Sequence, residues 1–355
     1  MSNSAQETKQ EIGLASVFTS NLPNLLKQLN ISLVISTYQA GKLIIARPEE
    51  ETLNTHFVSI NKPMGVYADG EKIFVGAKQE IIGYKNIPAV SSKIDSKTPH
   101  DACFLTSNRH YTGDIDIHEM EYVNKKLWFI NTRFSALCSY DEDSSFIPEW
   151  IPPFITKLAP EDRCHLNGLC IINNKPKYVT ALGQTDTKGG WRANKRDGGV
   201  LIDVDTKEIV KDGLSMPHSP RFYRDKLWIL NSGEGFLTTL DLKTKELTNI
   251  VELPGFARGI SFVGPLAFIG LSKVRETAVF KDFPLVEKLK ERQSGVWVVN
   301  IETKEIIGFL KFTQGVEEIF SVAVIPNATY PTILDATDEL MDTSYTIPDE
   351  YMHLV

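Results

Sequence analysis

The stretch Ile202-Asp203-Val204-Asp205-Thr206-Lys207-Glu208-Ile209 returns as Leu240-Asp241-Leu242-Lys243-Thr244-Lys245-Glu246-Leu247 and again as Val299-Asn300-Ile301-Glu302-Thr303-Lys304-Glu305-Ile306. Each copy ends an apolar strand on an Asp or Asn, crosses a Thr-Lys-Glu turn and starts a new strand. The Asp or Asn side chain can hydrogen-bond its own backbone, which makes the turn a local property of the sequence. Strand-forming runs precede the turns, as in Gly199-Val200-Leu201-Ile202 and Gly295-Val296-Trp297-Val298-Val299.

A second strand type recurs upstream. It reads Ile73-Phe74-Val75-Gly76, Leu127-Trp128-Phe129-Ile130-Asn131, Tyr178-Val179-Thr180-Ala181, Leu227-Trp228-Ile229-Leu230-Asn231 and Ala267-Phe268-Ile269-Gly270. The strand ends lie 55, 50, 50 and 39 residues apart, the length of one four-stranded propeller blade. Five blades follow directly. A sixth can be built from Val316 to Ile325 near one end of the chain and Ile31 to Tyr38 with Lys42 to Ala46 near the other. Closure by both termini removes the open sheet edge, which would invite aggregation. The expected fold is an all-β, six-bladed β-propeller closed by N- and C-terminal strands, with five or seven blades as the competing counts. Residues 1–20 are expected to be a flexible segment, 21–326 the single propeller domain, and 327–355 a tail packed on the surface. Short helices are expected at Leu25 to Leu29 and Pro284 to Glu291.

The 355 residues carry 38 basic and 45 acidic groups, a net charge of −7, and no basic block of the kind that follows a phosphate backbone. Nucleic-acid binding is therefore not expected. Met1 to Glu11 lack the apolar run of a signal peptide, and no stretch approaches 18 apolar residues, so no membrane span is expected. Cys103, Cys138, Cys164 and Cys170 form no Cys-x-x-Cys pair. These features point to a reduced, cytoplasmic setting, in which the sequons at Asn30 and Asn327 are chance matches. Gly-x-Gly-x-x-Gly and the P-loop are absent, so no nucleotide cofactor is expected. Ser215-Met216-Pro217-His218-Ser219 lacks the strained elbow of serine hydrolases.

Residues at the starts of the innermost strands converge on one mouth of the ring. Counting back from the second-strand ends, His118 lies 13 residues before Asn131, His218 lies 13 before Asn231, and His165 lies 16 before Ala181. Gly65 and Arg258 hold the equivalent places in blades one and five, and Glu318 in blade six. Three imidazoles at matching positions suggest a metal site with open coordination positions. The competing reading is that each is a hydrogen-bonded structural histidine on its own strand. Glu318, Asp116 and His110 are the candidate proton-moving groups; a one-residue shift would turn Asp116 inward in place of His118. Arg258 and Arg221 could bind an anion or form inter-blade ion pairs. Trp191 and Arg192, in the long insertion from Gly183 to Gly199, are candidates for a lid over the mouth, and Asn167 for a substrate contact; the insertion also reads as a plain surface loop. Cys164 adjoins His165, but neighbours on a strand face opposite ways, which argues against a Cys-His pair.

The segments Ser36 to Leu43, His110 to His118, Ala159 to Leu169, Gly213 to Arg221 and Val316 to Phe320 resemble a bacterial conserved-hypothetical family, a domain of unknown function with a propeller-like repeat. The resemblance spans about Asn21 to Pro326 and implies the fold without an activity. By fold analogy alone, the layout is similar to propeller enzymes that hold a metal on the axis, such as carotenoid oxygenases, lactonases and lyases. The leading expectation is a metal-dependent oxidoreductase acting on a small molecule or peptide, with iron(II) ahead of zinc or copper on three imidazoles. The alternatives are a non-catalytic ligand- or peptide-binding propeller, and a metal-dependent or metal-free lyase or hydrolase using His and Glu. The oligomeric state is not legible.

Overall fold

A computed structural model describes residues 13–273 and 283–354. Six sheets radiate from a central channel. Their innermost strands are Val66–Ala68 (β1), Ile117–Val123 (β2), Leu166–Ile172 (β3), Pro217–Tyr223 (β4), Phe256–Val263 (β5) and Ser321–Pro326 (β6). Each touches the next, and β6 returns to β1, so the ring is closed with six blades. Blade six combines β6 with Ile31–Ser36, Lys42–Glu49 and Thr52–Ser59; Ile31 pairs with Pro326 and Ser36 with Ser321. The expected closure by both ends of the chain is the one observed.

The repeated turn has the local structure its sequence dictates. The side chains of Asp203, Asp241 and Asn300 each accept hydrogen bonds from the backbone N–H groups two and three residues on. The lysine of each Thr-Lys-Glu adopts a left-handed φ, at 62° for Lys207, 59° for Lys245 and 61° for Lys304. Its N–H closes the turn onto the carbonyl of the leading Asp or Asn. These turns join the third and fourth strands of blades three, four and five.

The core lies between blades rather than within them. Leu227 and Ile229 pack toward blade three with Cys170 and Leu201. Their neighbours Trp228 and Leu230 pack toward blade five with Ile269 and Leu271. Each middle strand is thus buried on both faces, which explains its continuous apolar sequence. Six such clusters fill the six interfaces.

The structure departs from expectation at the N-terminal end, and at the C-terminal end it shows how the tail packs on the surface. Ala15–Phe18 forms a strand that pairs with Glu305–Gln314 on the outer edge of blade five, where a flexible segment was expected; residues 1–12 lie outside the described residues. Within the tail, Thr332–Leu334 pairs in parallel with Cys103–Leu105 on the outer edge of blade one. Arg47 donates to the Pro331 carbonyl and stacks on Tyr330, 4.0 Å from its ring centroid. The physical reason is the same at both places: an outer strand offers a row of unpaired backbone groups, and a nearby chain end covers them. The first helix is Leu22–Leu29, begun three residues earlier than expected, and the other expected one is Pro284–Lys288, ending three residues before the expected Glu291. Among the described residues no helix is long and apolar enough to cross a membrane.

Candidate functional site

The starts of the inner strands build a cup of about 320 Å³ at one mouth of the channel. His118 is the second residue of β2, His165 immediately precedes β3, His218 is the second residue of β4, and Arg258 is the third of β5. Glu318 lies three residues before β6. All five line the cup, together with Asp116, Trp191 and Arg192. At the equivalent place blade one has Gly65, which carries no side chain. A Cβ on Gly65 would stand 2.6 Å from the His118 carbonyl oxygen, so a side chain there would displace the strand that carries His118.

Two of the imidazoles are held by the same device. His118 Nδ1 lies 3.1 Å from the Asp116 carbonyl and 2.7 Å from Thr132 Oγ1. The Thr132 hydroxyl donates to the Leu166 carbonyl on the next blade at 2.6 Å, so its oxygen is left to accept. Nδ1 therefore carries the proton, and Nε2 carries the lone pair. In blade four, His218 Nδ1 meets the Met216 carbonyl at 2.9 Å and Ser232 Oγ at 3.1 Å, and the Ser232 hydroxyl donates to Ala257 O at 2.6 Å. A left-handed residue two positions upstream, Asp116 at φ 51° and Met216 at φ 45°, turns each carbonyl back to its ring. Blade three differs because apolar Leu182 stands where the hydroxyl would be. There Asp162 takes over, with Oδ1 at 3.0 Å and Oδ2 at 3.2 Å from His165 Nδ1. Asp162 also accepts from Trp191 Nε1 at 3.0 Å and lies 3.4 Å from Arg192 Nη2, which ties the insertion to His165.

Arg258 reaches across the channel from blade five. Its Nη2 lies 2.6 Å from His118 Nε2, its Nη1 lies 3.6 Å from Glu318 Oε1, and its guanidinium sits 3.7 Å above the Phe320 ring centroid. The His118 ring meets His165 and Phe320 edge-on, each at 4.9 Å. Burial, and then the Arg258 charge, hold His118 and His218 well below the ordinary imidazole pKa. Both are neutral at pH 7, which fits a lone pair facing a guanidinium. Burial also lowers the pKa of Arg258.

The remaining sequence candidates fall elsewhere. His110 lies on the outer strand Cys103–Tyr111 of blade one, with its ring 4.6 Å from Tyr140 and Nε2 3.1 Å from the Ser145 carbonyl. The residues from His110 to His118 cross from the outside of blade one to the hub, so the two histidines are not neighbours. Arg221 lies three residues beyond His218 along β4, roughly 10 Å down the strand. It pairs there with Glu119 at 2.8 Å and Glu121 at 3.7 Å, outside the cup lining. Asn167 donates to Pro217 O and accepts from Thr180, tying blade three to blade four. Asp116 lines the cup but pairs with Arg133 at 3.2 Å. Sequence reasoning missed Asp162, Thr132, Ser232 and Phe320. A signal was available for two of them, since Asn131-Thr132 and Asn231-Ser232 share one place in their blades.

The three Nδ1 atoms are all engaged, the pattern that orients metal-ligating histidines. Yet the His118 lone pair already meets Arg258. Among the described residues no group of three or more His, Cys, Asp or Glu side chains is placed to hold a metal ion. The present arrangement therefore does not fit a metal on all three rings unless Arg258 moves.

A family model described as Domain of unknown function (DUF4915) matches residues 20–334. A search of curated proteins finds no match. Among solved structures, the chain is similar to one in the "Crystal structure of Nidogen/Laminin Complex", with a TM-score of 0.52 and 9% identity over 84% of this chain and 99% of that one. It is also similar to a catalytically inactive virginiamycin B lyase from Staphylococcus aureus with quinupristin, with a TM-score of 0.41 and 11% identity over 85% of this chain and 99% of that one. At these identities the first likeness speaks to the propeller fold alone, and the second is too distant to support an argument.

Proposed function

We infer that this chain, which belongs to the family described as Domain of unknown function (DUF4915), is an enzyme that moves a proton on a small molecule held in the cup. The observation behind this reading is the His165–Asp162 pair in the same cup as Arg258. Asp162 holds His165 Nδ1, so Nε2 is the nitrogen left for a bound molecule. A base so oriented can take a proton from a carbon next to a carbonyl, and the guanidinium N–H groups of Arg258 can hold the charge that develops on oxygen. The reaction class is that of a metal-free lyase or isomerase. His118 and His218, neutral and fixed, accept hydrogen bonds rather than move protons. A cup of about 320 Å³ suits a small molecule better than a peptide.

Exchange of carbon-bound hydrogen tests this without knowledge of the product. Pyruvate, phenylpyruvate and related oxo acids are incubated with the protein in deuterated water, and loss of the C3 proton signal, on the carbon next to the keto group, is followed by NMR. Enzyme-dependent exchange that falls by about 10²- to 10⁴-fold in His165→Gln is the expected result. Exchange unchanged in the variant, or none with any oxo acid, overturns the reading and leaves the cup a binding site.

A second reading keeps the metal. Its support is that all three imidazoles have Nδ1 engaged, which leaves three Nε2 atoms for a divalent transition ion, with iron ahead of zinc or copper and oxidative chemistry to follow. It requires Arg258 to leave His118. Elemental analysis of protein purified without an affinity tag, with His165→Ala alongside, decides it. One equivalent of metal lost in the variant favours this reading; metal-free protein that still exchanges protons favours the first.

A further inference from the structure

We propose that the molecule seated in the cup is a monocarboxylate with an apolar body, its carboxylate on Arg258. The proposal rests on the reading of the cup as a small-molecule site and specifies what fills it. The cup is polar at its hub and apolar on its walls. Tyr38, Met64, Trp191, Met216, Phe256 and Phe320 line it around the imidazoles. The Arg258 guanidinium carbon sits 3.7 Å over the Phe320 ring centroid, so the ring covers one side of the group and its N–H groups serve recognition. Among the described residues its hydrogen bond is to His118, and its carboxylate partner Glu318 stands 3.6 Å away, beyond hydrogen-bond reach. A carboxylate presents two oxygens in one plane to such an edge, the pairing that guanidinium groups make best.

Charge selects one negative group and no more. Asp116, Asp162, Glu317 and Glu318 line the same cup as the cations Arg192, Arg258 and Lys273. Among the described lining residues the four carboxylates outnumber the three cations, and a phosphate monoester would bring two further negative charges beside them. A neutral ligand would cover the half-buried guanidinium without replacing the hydration it displaces. Aromatic and thioether walls favour an aromatic or branched aliphatic body.

Calorimetric titration of the full chain with phenylacetate, phenyl phosphate, 2-phenylethanol and acetate tests the proposal. Phenylacetate is expected to bind at least about tenfold more tightly than each of the others. Arg258→Gln should abolish the preference for phenylacetate over 2-phenylethanol. Trp191→Ala should weaken phenylacetate and leave acetate unchanged, with circular dichroism reporting the fold of both variants. Equal binding of the phosphate or the alcohol, a preference that survives Arg258→Gln in a folded protein, or no binding of any probe overturns the proposal. The same titration on His165→Gln separates it from proton transfer. Phenylacetate binding without hydrogen exchange sinks only the catalytic reading, and exchange in a cup that prefers the phosphate sinks only this one.

Discussion

Thr132 Oγ1 lies 2.7 Å from His118 Nδ1 while its own proton goes to Leu166 O on the neighbouring blade, so one hydroxyl both joins two blades and fixes the tautomer of an imidazole. Ser232 does the same for His218 through Ala257 O. The polar contacts that hold the propeller together at its mouth therefore also set the chemistry of the cup.

Thr132→Val keeps the shape of the side chain and removes both bonds. The buried Leu166 carbonyl loses its donor and His118 Nδ1 loses one of its two acceptors. We expect a loss of about 1–3 kcal/mol in urea unfolding. Nitrogen NMR of labelled histidine should show His118 leaving the pure Nδ1–H form, a change that a packing defect elsewhere would not produce.

Stability should fall as pH drops from 7 to 5. His118 and His218 have folded pKa values well below 6.5, so in this window the unfolded chain takes up protons that the folded chain refuses. Their contribution is fully present above the unfolded pKa and is lost as pH falls toward the folded values. Glu121 works the other way, because burial pushes its pKa up to about 7 against the pull of Arg221, so the folded state binds its proton first. Near pH 7 these terms nearly cancel; below about pH 6, where both unfolded histidines are protonated, two protons against one leave a net slope of about 1.4 kcal/mol per pH unit. His56 and His100, also lowered by burial, add in the same sense. Urea midpoints at pH 7, 6 and 5 read the slope, and His118→Gln with His218→Gln should flatten it.

Gly65→Ala should cost about 1–3 kcal/mol, because the new methyl would meet the His118 carbonyl carbon at 3.0 Å as well as its oxygen at 2.6 Å. The strand that carries His118 has to shift. A matching fall in phenylacetate affinity is expected, whereas Gly113→Ala, where a Cβ would have open space, should leave affinity unchanged despite its left-handed φ.

Truncation after Pro326 should lower the melting temperature and promote self-association. It removes Thr332–Leu334 from the edge of blade one, together with the Tyr330 ring over Arg47 and the hydrogen bonds of Asp101 to Thr329 and Tyr330. The exposed edge of Cys103–Leu105 is then free to pair with another chain. Light scattering during a melt would show this; an unchanged melt without scattering would mean that the tail does not seal the blade.

The sequence alone determined the blade repeat, the three Thr-Lys-Glu turns, closure through Ile31–Ser36 and Ser321–Pro326, and the equal height of His118, His165 and His218 in the ring. These are local or periodic properties: an Asp that bonds its own backbone, an apolar run buried on two faces, a residue counted from the end of a strand. Only the tertiary structure decided what meets each imidazole. Arg258 of blade five reaches His118 of blade two across the channel, Asp162 reaches His165 out of a loop, and Arg221, three residues after His218, is drawn to Glu119 instead. A repeat fixes how far along the channel a side chain stands, but its partner on the far side depends on how many blades lie between them and how the ring closes.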